Sequence, residues 1–326
     1  MNRSEVRVVP LDETHLDAAS NLFSDDYKRC RKNVPELPES WLDSCVAREK
    51  LAHFLIRGSG LCAIVDDRLV GYLGWYSLQN FRDSGIQAAY VPEWAHAVDD
   101  TVKHDVYRML YRSAAAMWQE QGVKAHVLSY PAGNQWMEQF WFWNGFGLLL
   151  IDAVRLLEPL NVAPHDRMVI RKAVFEDADV VLKLETEHWQ HYLKAPVLMN
   201  PGERITLEEI QTLLSLKDTV YFLAEYDGDV AGMMKFEPRS SGATDFVNNC
   251  ETIAITGAYV RDAYRGLRIA PVLLDAAIYY YIETGRQYCS VDFESFNPEA
   301  AAFWMKYFKP IRYSVYRVPE TSLRSG

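Results

Sequence analysis

A short run of basic residues and glycine, Arg265-Gly266-Leu267-Arg268-Ile269-Ala270, joins a predicted strand to a predicted helix. A strand that turns through glycine into a helix leaves several backbone N–H groups unpaired at the positive end of the helix dipole. Such a turn can hold a phosphate or pyrophosphate, and Arg265 and Arg268 can pair with its oxygens. Two arginines at a helix start oppose the dipole unless an anion binds there. The sequence therefore predicts an anion site at this turn.

The elements that position this turn follow an order that occurs twice along the chain. Each half reads as strand, helix, a strand-turn-strand hairpin, strand, helix, strand, aromatic helix and strand. In the second half the predicted elements are 168–171, a helix from 176, 221–225 with 230–236, 251–260, 271–283, 288–293, 297–307 and 313–318. In the first half the polar segment 24–44 reads as a loop with short helices.

Three stretches of the first half match three of the second in the same order. Residues 63–71 match 223–232, residues 89–91 match 258–260, and residues 134–146 match 297–309. A repeat this long indicates two related domains and not a solenoid. We expect an N-terminal domain at 1–158, a linker at 159–166 and a C-terminal domain at 167–326.

Composition narrows the class of protein. The 326 residues carry a formal charge of −10 and are 49% hydrophobic. The acidic balance argues against a nucleic-acid binder, and there is no apolar run long enough to span a membrane. The start of the chain has no apolar signal region. The five cysteines show no paired spacing, so we expect reduced thiols in a cytoplasmic protein.

The turn and a second motif downstream resemble the GCN5-related N-acetyltransferase (GNAT) superfamily in a tandem form. The family's turn reads Gln or Arg, two residues, Gly, one residue, then Gly or Ala; Arg265 and Ala270 match, and Arg268 replaces the middle glycine. The second motif starts at Asn297, which matches, whereas Trp304 stands where the family usually has tyrosine. The resemblance implies an α/β fold (an α+β mixed sheet) of two tandem GNAT-like domains. Each would have a mostly antiparallel central sheet with a splayed strand and flanking helices.

The resemblance also implies how the C-terminal domain would bind acetyl-CoA as a co-substrate. The turn would hold the pyrophosphate, while the splayed strand and the asparagine of the second motif would bond to the pantetheine arm. The residues carried over to cofactor binding are Tyr259, Val260, Arg265, Gly266, Leu267, Arg268, Ile269, Ala270, Asn297 and Trp304.

The N-terminal copy lacks the features of this turn. The segment 92–100 that follows its matching strand contains no glycine, and Glu93, Asp99 and Asp100 would repel a pyrophosphate. We expect this copy to bind no CoA and to complete the fold or shape the substrate cleft.

The reaction that the resemblance implies is acetyl transfer by direct attack of a small amine or an amino terminus. The amine must lose a proton, and the family often uses a carboxylate or histidine on its fourth or fifth strand as general base. Asp292 and Glu294 are the first candidates and Glu251 the next. Trp304 cannot give up a proton near neutral pH, so Tyr307 or another tyrosine would act as the acid, or CoA would leave as a thiolate.

Several alternatives remain open from the sequence. His188 and His191 share a helix face without a marked third ligand, so we expect a substrate wall or a surface position and not a metal site. The chain could instead be an acyl or aminoacyl transferase of the tandem type, or a non-catalytic acyl-CoA-binding regulatory module. The expected partner is a small-molecule amine, without nucleic acid or membrane, for a monomer or homodimer.

Overall fold

The structure, a computed structural model, describes residues 5–320. Its strands are β1 (Arg7–Pro10), β2 (Ser59–Val65), β3 (Arg68–Leu78), β4 (Ala88–Val91), β5 (His96–Val98), β6 (Ala125–Pro131), β7 (Gly147–Leu156), β8 (Met168–Lys172), β9 (Val220–Tyr226), β10 (Asp229–Glu237), β11 (Thr252–Val260), β12 (Tyr288–Glu294) and β13 (Lys309–Arg317). Its α-helices are α1 (Leu16–Asn33), α2 (Ser44–Phe54), α3 (Lys103–Glu120), α4 (Gln135–Trp143), α5 (Ala178–Tyr192), α6 (Leu207–Ser215), α7 (Ile269–Glu283) and α8 (Pro298–Tyr307).

The chain divides into two compact units whose boundaries differ from the sequence-based ones. Unit 1 comprises the chain up to Ile151 and again from Pro310 onward, and unit 2 is Asp152–Lys309. The sequence-based division gave the last strand to the C-terminal domain. In the structure β13 pairs antiparallel with β6 of unit 1, and the hydroxyls of Ser129 and Ser314 lie 2.8 Å apart. These strand hydrogen bonds are the physical reason for the difference.

The expected linker 159–166 is held against unit 2. The backbone N–H groups of Leu160 and Val162 donate to the two carboxylate oxygens of Asp275, each at 2.7 Å. Asp275 lies on α7 with only 4% of its surface exposed. A buried carboxylate needs such donors, so this segment is part of unit 2 and not a free tether.

Unit 1 contains a sheet in the order β1-β2-β3-β4-β6-β13, with β5 added beside β3. Neighbouring strands are antiparallel except β4 and β6, which run parallel. Helix α3 supplies Val106, Leu110 and Ala114 to the core beside this sheet. The aromatic helix α4 adds Phe140 and Trp141 to the same core. The recurrence of apolar residues at helical spacing on α3 accounts for this packing.

Unit 2 contains a sheet in the order β12-β11-β10-β9-β8. The pairs are antiparallel except β11 and β12, which are parallel. Helix α5 packs on one face of this sheet, where Leu184 meets Tyr221 and Met233. On the other face the rings of Phe236 and of Tyr281 on α7 lie 5.2 Å apart. Side chains alternate along β10, so successive residues serve opposite layers.

The hairpins of the two units share the same irregularities. Their turns have positive φ at both central residues, Asp66 and Asp67 in unit 1 and Asp227 and Gly228 in unit 2. Asp, Asn and Gly adopt this conformation at the lowest cost, which explains the matching turn sequences. Each hairpin also shifts register a few residues from its turn, at 63/64 in unit 1 and at 230/232 in unit 2. The internal repeat in the sequence therefore extends to the backbone.

Helix α1 overturns the prediction of a loop over 24–44. It continues through this polar stretch to Asn33, because its polar side chains find distant partners. The Ser24 hydroxyl donates to the Leu42 carbonyl at 2.7 Å, and the Asn134 amide donates to Asp26 at 3.2 Å. Within residues 5–320, no helix is both long and apolar enough to cross a bilayer.

Candidate functional site

A cavity of about 650 Å³ opens in unit 2 where two parallel strands separate. The recorded pairing of β11 with β12 ends at Ile255 opposite Val291, although β11 continues to Val260 and β12 to Glu294. The first four residues of β11 are buried and the last five are partly exposed. The parting of the two strands therefore exposes the end of β11 to the cavity. The volume lies in the range of small-molecule sites.

A β-bulge marks the point of separation. The register between β10 and β11 shifts at Lys235/Phe236, so that Thr256 has no partner opposite it. The Thr256 hydroxyl donates to Glu237 at 2.5 Å. A bulge bends the strand that carries it, which helps β11 to leave β12.

Beyond the bulge, β11 is held closely against β10. Tyr259 and Val260 pair with Met233 and Gly232, and a Cβ on Gly232 would stand 2.7 Å from the Tyr259 carbonyl oxygen. Only glycine allows this approach of two backbones. One edge of the 256–260 segment is thus fixed to β10, while the side toward β12 is open to the cavity.

The predicted anion turn lies at one end of the cavity. Gly266 has φ of +81°, and Arg268 takes the left-handed conformation, with φ of 62°, immediately before α7. Arg268 stands where the family has glycine, and it adopts the backbone conformation that glycine favours. Ile269 is buried and anchors the first turn of α7, so the helix begins two residues earlier than the sequence predicts. The positive end of the α7 dipole points to this turn.

The side chains of the turn differ in their surroundings. The guanidinium of Arg265 donates to Glu299 at 2.6 Å and to the Val260 carbonyl at 3.2 Å, and it pairs with Asp262 at 3.1 Å. The cavity is lined by Arg265, Gly266, Arg268, Ile269 and Ala270 of the predicted turn. Leu267 is 40% exposed and does not line it.

The second motif contributes the opposite wall. Asn297 is the N-cap of α8, where its side-chain oxygen accepts from the Ala300 N–H at 3.2 Å. This capping bond explains the asparagine in structural terms, and Asn134 makes the equivalent bond at the start of α4. Trp304 lines the cavity but is 95% buried, with its ring next to those of Phe303 and Phe308.

The structure brings two of the three candidate carboxylates to the cavity. Asp292 and Glu294 line it at the end of β12. Glu251 does not line it, because it precedes β11 at the end where the two strands are still paired. There its carboxylate accepts from the Gln287 amide at 3.1 Å. Cys289 is fully buried in β12, and burial raises the pKa of its thiol, so it belongs to the core.

Helix α5 supplies a further wall of the cavity. The sequence left His188 and His191 of this helix as either a substrate wall or a surface position. His188, His191 and Tyr192 line the cavity, together with Tyr307 of α8. Since α5 and α7 pack on opposite faces of the sheet, the cavity reaches both faces through the gap between β11 and β12.

The equivalent place in unit 1 is filled. After β4 the chain turns back onto β3 through β5, and Glu93 at this turn is 2% exposed and paired with buried Arg312 at 3.3 Å. The cavity found among residues of α1, α3 and α4 in this unit measures about 10 Å³. Such a volume is too small for an organic ligand.

Comparisons with known proteins agree with this geometry. Residues 183–308 match the acetyltransferase (GNAT) family model. No curated protein matches the chain in sequence.

Similar solved structures span both units. One is a tandem GNAT protein from the clavulanic acid biosynthesis pathway, at 16% identity over 96% of this chain and 97% of that one, with a TM-score of 0.51. Another is a GCN5-related N-acetyltransferase from Sphaerobacter thermophilus, at 13% identity over 96% and 95%, with a TM-score of 0.56. A third is a GCN5-related glucosamine N-acetyltransferase region of a fungal multi-domain GH3 beta-N-acetylglucosaminidase, at 13% identity and a TM-score of 0.55 over 97% of this chain and 38% of that one. The chain thus has the fold of tandem GNAT proteins, and its residues 183–308 match the model of the acetyltransferase (GNAT) family.

Proposed function

We propose that this chain is an acetyl-CoA-dependent N-acetyltransferase that transfers acetyl to a small amine or an amino terminus by direct attack. The observation that carries the proposal is the cavity between parted strands β11 and β12, which begins at a basic helix-start turn. The cavity has an anion site at this turn and reaches polar side chains of α5, which packs on the other face of the sheet from α7. A nucleotide-bearing acyl donor and an amine acceptor could therefore enter from opposite faces of the sheet.

The residues present fit the donor in two respects. The N-terminus of α7, with Gly266 and Arg268 in left-handed conformations beside it, suits a pyrophosphate. The 256–260 edge of β11 suits a pantetheine arm, which needs backbone partners along its length. When bound, acetyl-CoA would supply the acetyl group as a thioester.

The chain's own groups would then position and deprotonate the acceptor. Asp292 and Glu294 line the cavity at the end of β12 and can attract a cationic amine. Tyr307, or another tyrosine of the cavity wall, would protonate the departing sulfur in place of the tyrosine that Trp304 replaces. The cysteines do not act, since Cys289 is buried and the transfer needs no enzyme nucleophile.

Trp304 supports a second candidate, a non-catalytic acyl-CoA-binding module. Its buried indole fills the place of the usual acid and cannot supply a proton. A tandem acyl or aminoacyl transferase would use the same cavity with a different donor group. For either enzymatic reading we infer a cytoplasmic protein, consistent with five free cysteines.

The test begins with acetyl-CoA binding measured by calorimetry. We expect one site per chain, because the unit 1 counterpart is filled by Glu93 and Arg312. Arg268→Glu should abolish binding by placing a carboxylate at the pyrophosphate position. Arg268→Gly is the matched control, since glycine keeps the backbone conformation and removes only the charge; it should weaken binding less. Unchanged affinity in Arg268→Glu would overturn the proposed donor site.

Turnover separates the candidate functions. CoA release should be followed with acetyl-CoA and a panel of primary amines comprising a diamine, an amino sugar and a peptide with a free amino terminus. Acetylated product identified by mass spectrometry supports the proposal. Binding of acetyl-CoA without transfer to any amine would favour the non-catalytic module.

A further inference from the structure

A histidine and a glutamate on α5 form a pair at the acceptor side of the cavity. Nδ1 of His188 lies 3.8 Å from Oε2 of Glu185, one helical turn away. The side chains are only 15% and 14% exposed, yet His188 lines the cavity. A histidine that is mostly buried but still reaches a substrate cavity can exchange a proton with a bound molecule.

The imidazole is held from two sides. Its ring stacks on that of Tyr259 at 5.7 Å with an angle of 30° between the planes, and it lies 4.9 Å from the ring of Tyr192. Tyr259 belongs to the part of β11 that borders the cavity. The two aromatic contacts restrict the rotation of the ring, so that one edge faces Glu185. Nε2 lies on the opposite side of the ring from Nδ1.

The glutamate is held just as firmly. Its Oε1 accepts a hydrogen bond from the Tyr221 hydroxyl at 3.0 Å. Gly257, the residue after the bulge, lies next to it, since a Cβ there would be 3.9 Å from Oε1. The pair is therefore next to the point at which β11 leaves β12, where the proposed acyl donor and acceptor would meet.

Charges around the pair keep the carboxylate ionised. Burial pushes the pKa of Glu185 upward, but His188, Lys235 and Tyr221 more than offset this and hold the pKa below its ordinary value. Lys235 is itself paired with Glu237 at 3.2 Å. The titratable groups nearest the imidazole are Glu185, His191 and Tyr192 of α5 and Tyr259 of β11. An ionised glutamate 3.8 Å from Nδ1 stabilises the imidazolium and favours the tautomer with the proton on Nδ1, whose Nε2 can accept a proton.

We propose that His188 takes the proton of the acceptor's amine during transfer and that Glu185 is its positioning residue. The inference rests on the proposed function and names its base. The acceptor binds as an ammonium ion and gives one proton to Nε2, which frees the lone pair that forms the new bond to the acetyl carbon. The nitrogen releases its second proton to solvent as the amide forms. The carbon–sulfur bond breaks with its electron pair on sulfur, and CoA leaves as a thiolate that solvent or Tyr307 protonates. Asp292 and Glu294 then serve to bind the amine and not to deprotonate it.

The experiment compares His188→Gln and Glu185→Gln with wild type, using acetyl-CoA and the best-acetylated amine of the panel. His165→Gln is the matched control, because this exposed histidine of unit 2 lies outside the cavity. Acetyl-CoA binding should be unchanged in all variants. We expect His188→Gln to lower kcat/KM by about 100-fold or more, the range of general-base catalysis, and to remove the acid limb of the pH profile.

Glu185→Gln separates positioning from structure. Loss of the carboxylate removes the charge that stabilises the imidazolium, so the acid limb should move to lower pH. A role in packing alone would lower activity without moving the limb. If His188→Gln does not fold, His188→Ala with free imidazole in the buffer replaces it, and recovery of activity is the expected result.

The outcomes distinguish the two proposals. Suppose that wild type acetylates the amine, that His188→Gln has a kcat/KM within a few-fold of wild type, and that its acid limb is unchanged. That result would overturn the role of His188 and leave the proposed function standing. An unmoved limb in Glu185→Gln, or no recovery with imidazole in His188→Ala, would also count against the pair. A wild type that binds acetyl-CoA but acetylates no amine would overturn the proposed function, and this inference with it.

Discussion

The two units have the same order of elements but differ where β4 and β11 end. In unit 2, β11 continues beyond its parallel pairing with β12 and leads into the turn before α7. In unit 1, β4 is paired with β6 up to Val91, its last residue, and the chain then folds back as β5. The buried pair of Glu93 and Arg312 occupies the place of the turn. A cavity in this fold therefore depends on a strand that separates from its parallel neighbour. In unit 1, where the chain folds back as β5 directly after β4, no such cavity forms among the described residues at the equivalent place.

The largest expected effect on stability concerns the buried ion pair of Glu93 and Arg312 in unit 1. Arg312→Met should destabilise unit 1 by about 3–5 kcal/mol, because it leaves Glu93 buried without its partner charge. Arg167→Met in unit 2 is the matched change at a pair with Asp227 whose side chains are 55% and 43% exposed, and it should cost about 1 kcal/mol or less. Urea unfolding followed by fluorescence measures both.

The double variant Glu93→Leu/Arg312→Met tests whether the pair has only a structural role. Apolar replacement of a whole buried pair is often neutral or stabilising, so most of the lost stability should return. A double variant that is as unstable as Arg312→Met would contradict a purely structural role for the pair.

The second-largest expected effect is a difference between the two units in how much stability they lose in acid. His96 of unit 1 is fully buried between the Tyr107 hydroxyl and the Ser129 carbonyl, and burial lowers its pKa to about 4. The unfolded chain binds this proton near pH 6.5, so the stability is complete above that pH and falls as the pH drops toward 4. The loss from His96 is about 3 kcal/mol. In unit 2, the lowered pKa of Glu185 gives a loss that begins only below its ordinary value of 4.5.

Thermal unfolding as a function of pH measures this difference, and tryptophan fluorescence reports mainly on unit 1, which holds most of the tryptophans. Unit 1 should unfold first between pH 6.5 and 4.5. His96→Gln should reduce this dependence without removing it, because burial also lowers the pKa of His126 in unit 1 to about 4. An equal acid sensitivity in wild type and variant would show that His96 does not control it.

The matching glycines of the two hairpins give a smaller and more local contrast. A Cβ on Gly232 would meet the Tyr259 carbonyl oxygen at 2.7 Å, whereas one on Gly71 would meet the Val106 side chain at the same distance. Both alanine variants should lose about 1–3 kcal/mol of stability. Only Gly232→Ala should weaken acetyl-CoA binding, by about tenfold or 1.4 kcal/mol, since it displaces the cavity edge of β11. Equal affinities in the two variants, measured by calorimetry, would show that the edge does not hold the donor.

The smallest expected effect concerns Glu299, which competes for Arg265. Glu299→Gln should strengthen acetyl-CoA binding by up to about fivefold, because a partly exposed ion pair contributes about 1 kcal/mol at most. Unit 1 has no equivalent competition to relieve. Glu283→Gln, at the exposed end of α7, is the control for the change in net charge. Affinity that is unchanged in Glu299→Gln would mean that Arg265 does not contact the donor.

The sequence predicted those features that depend on nearby residues. The turn 265–270, the Asp-rich hairpins and the capping asparagines are local, so their residue types alone identify them. The course of α1 through Ser24 and Asp26 was missed, since their partners lie 18 and 108 positions away. The pair Glu185 and His188 shows helical spacing, but nothing local indicates that Tyr221 and Gly257 complete its surroundings. Glu251, a candidate base, lies outside the cavity, at the end of β11 where that strand is still paired with β12. The residue types of a strand do not show where its pairing stops.

The assignment of β13 to unit 1 has a consequence for biosynthesis. Residues 310–317 leave the ribosome only after all of unit 2 has been translated. At 5–20 residues per second, the edge of β6 would wait roughly ten to thirty seconds for the strand that covers it. An uncovered strand edge is a template for pairing with other chains. The nascent first unit would therefore depend on chaperones or on rapid translation of the second, and a chain cut short inside unit 2 would be prone to aggregate.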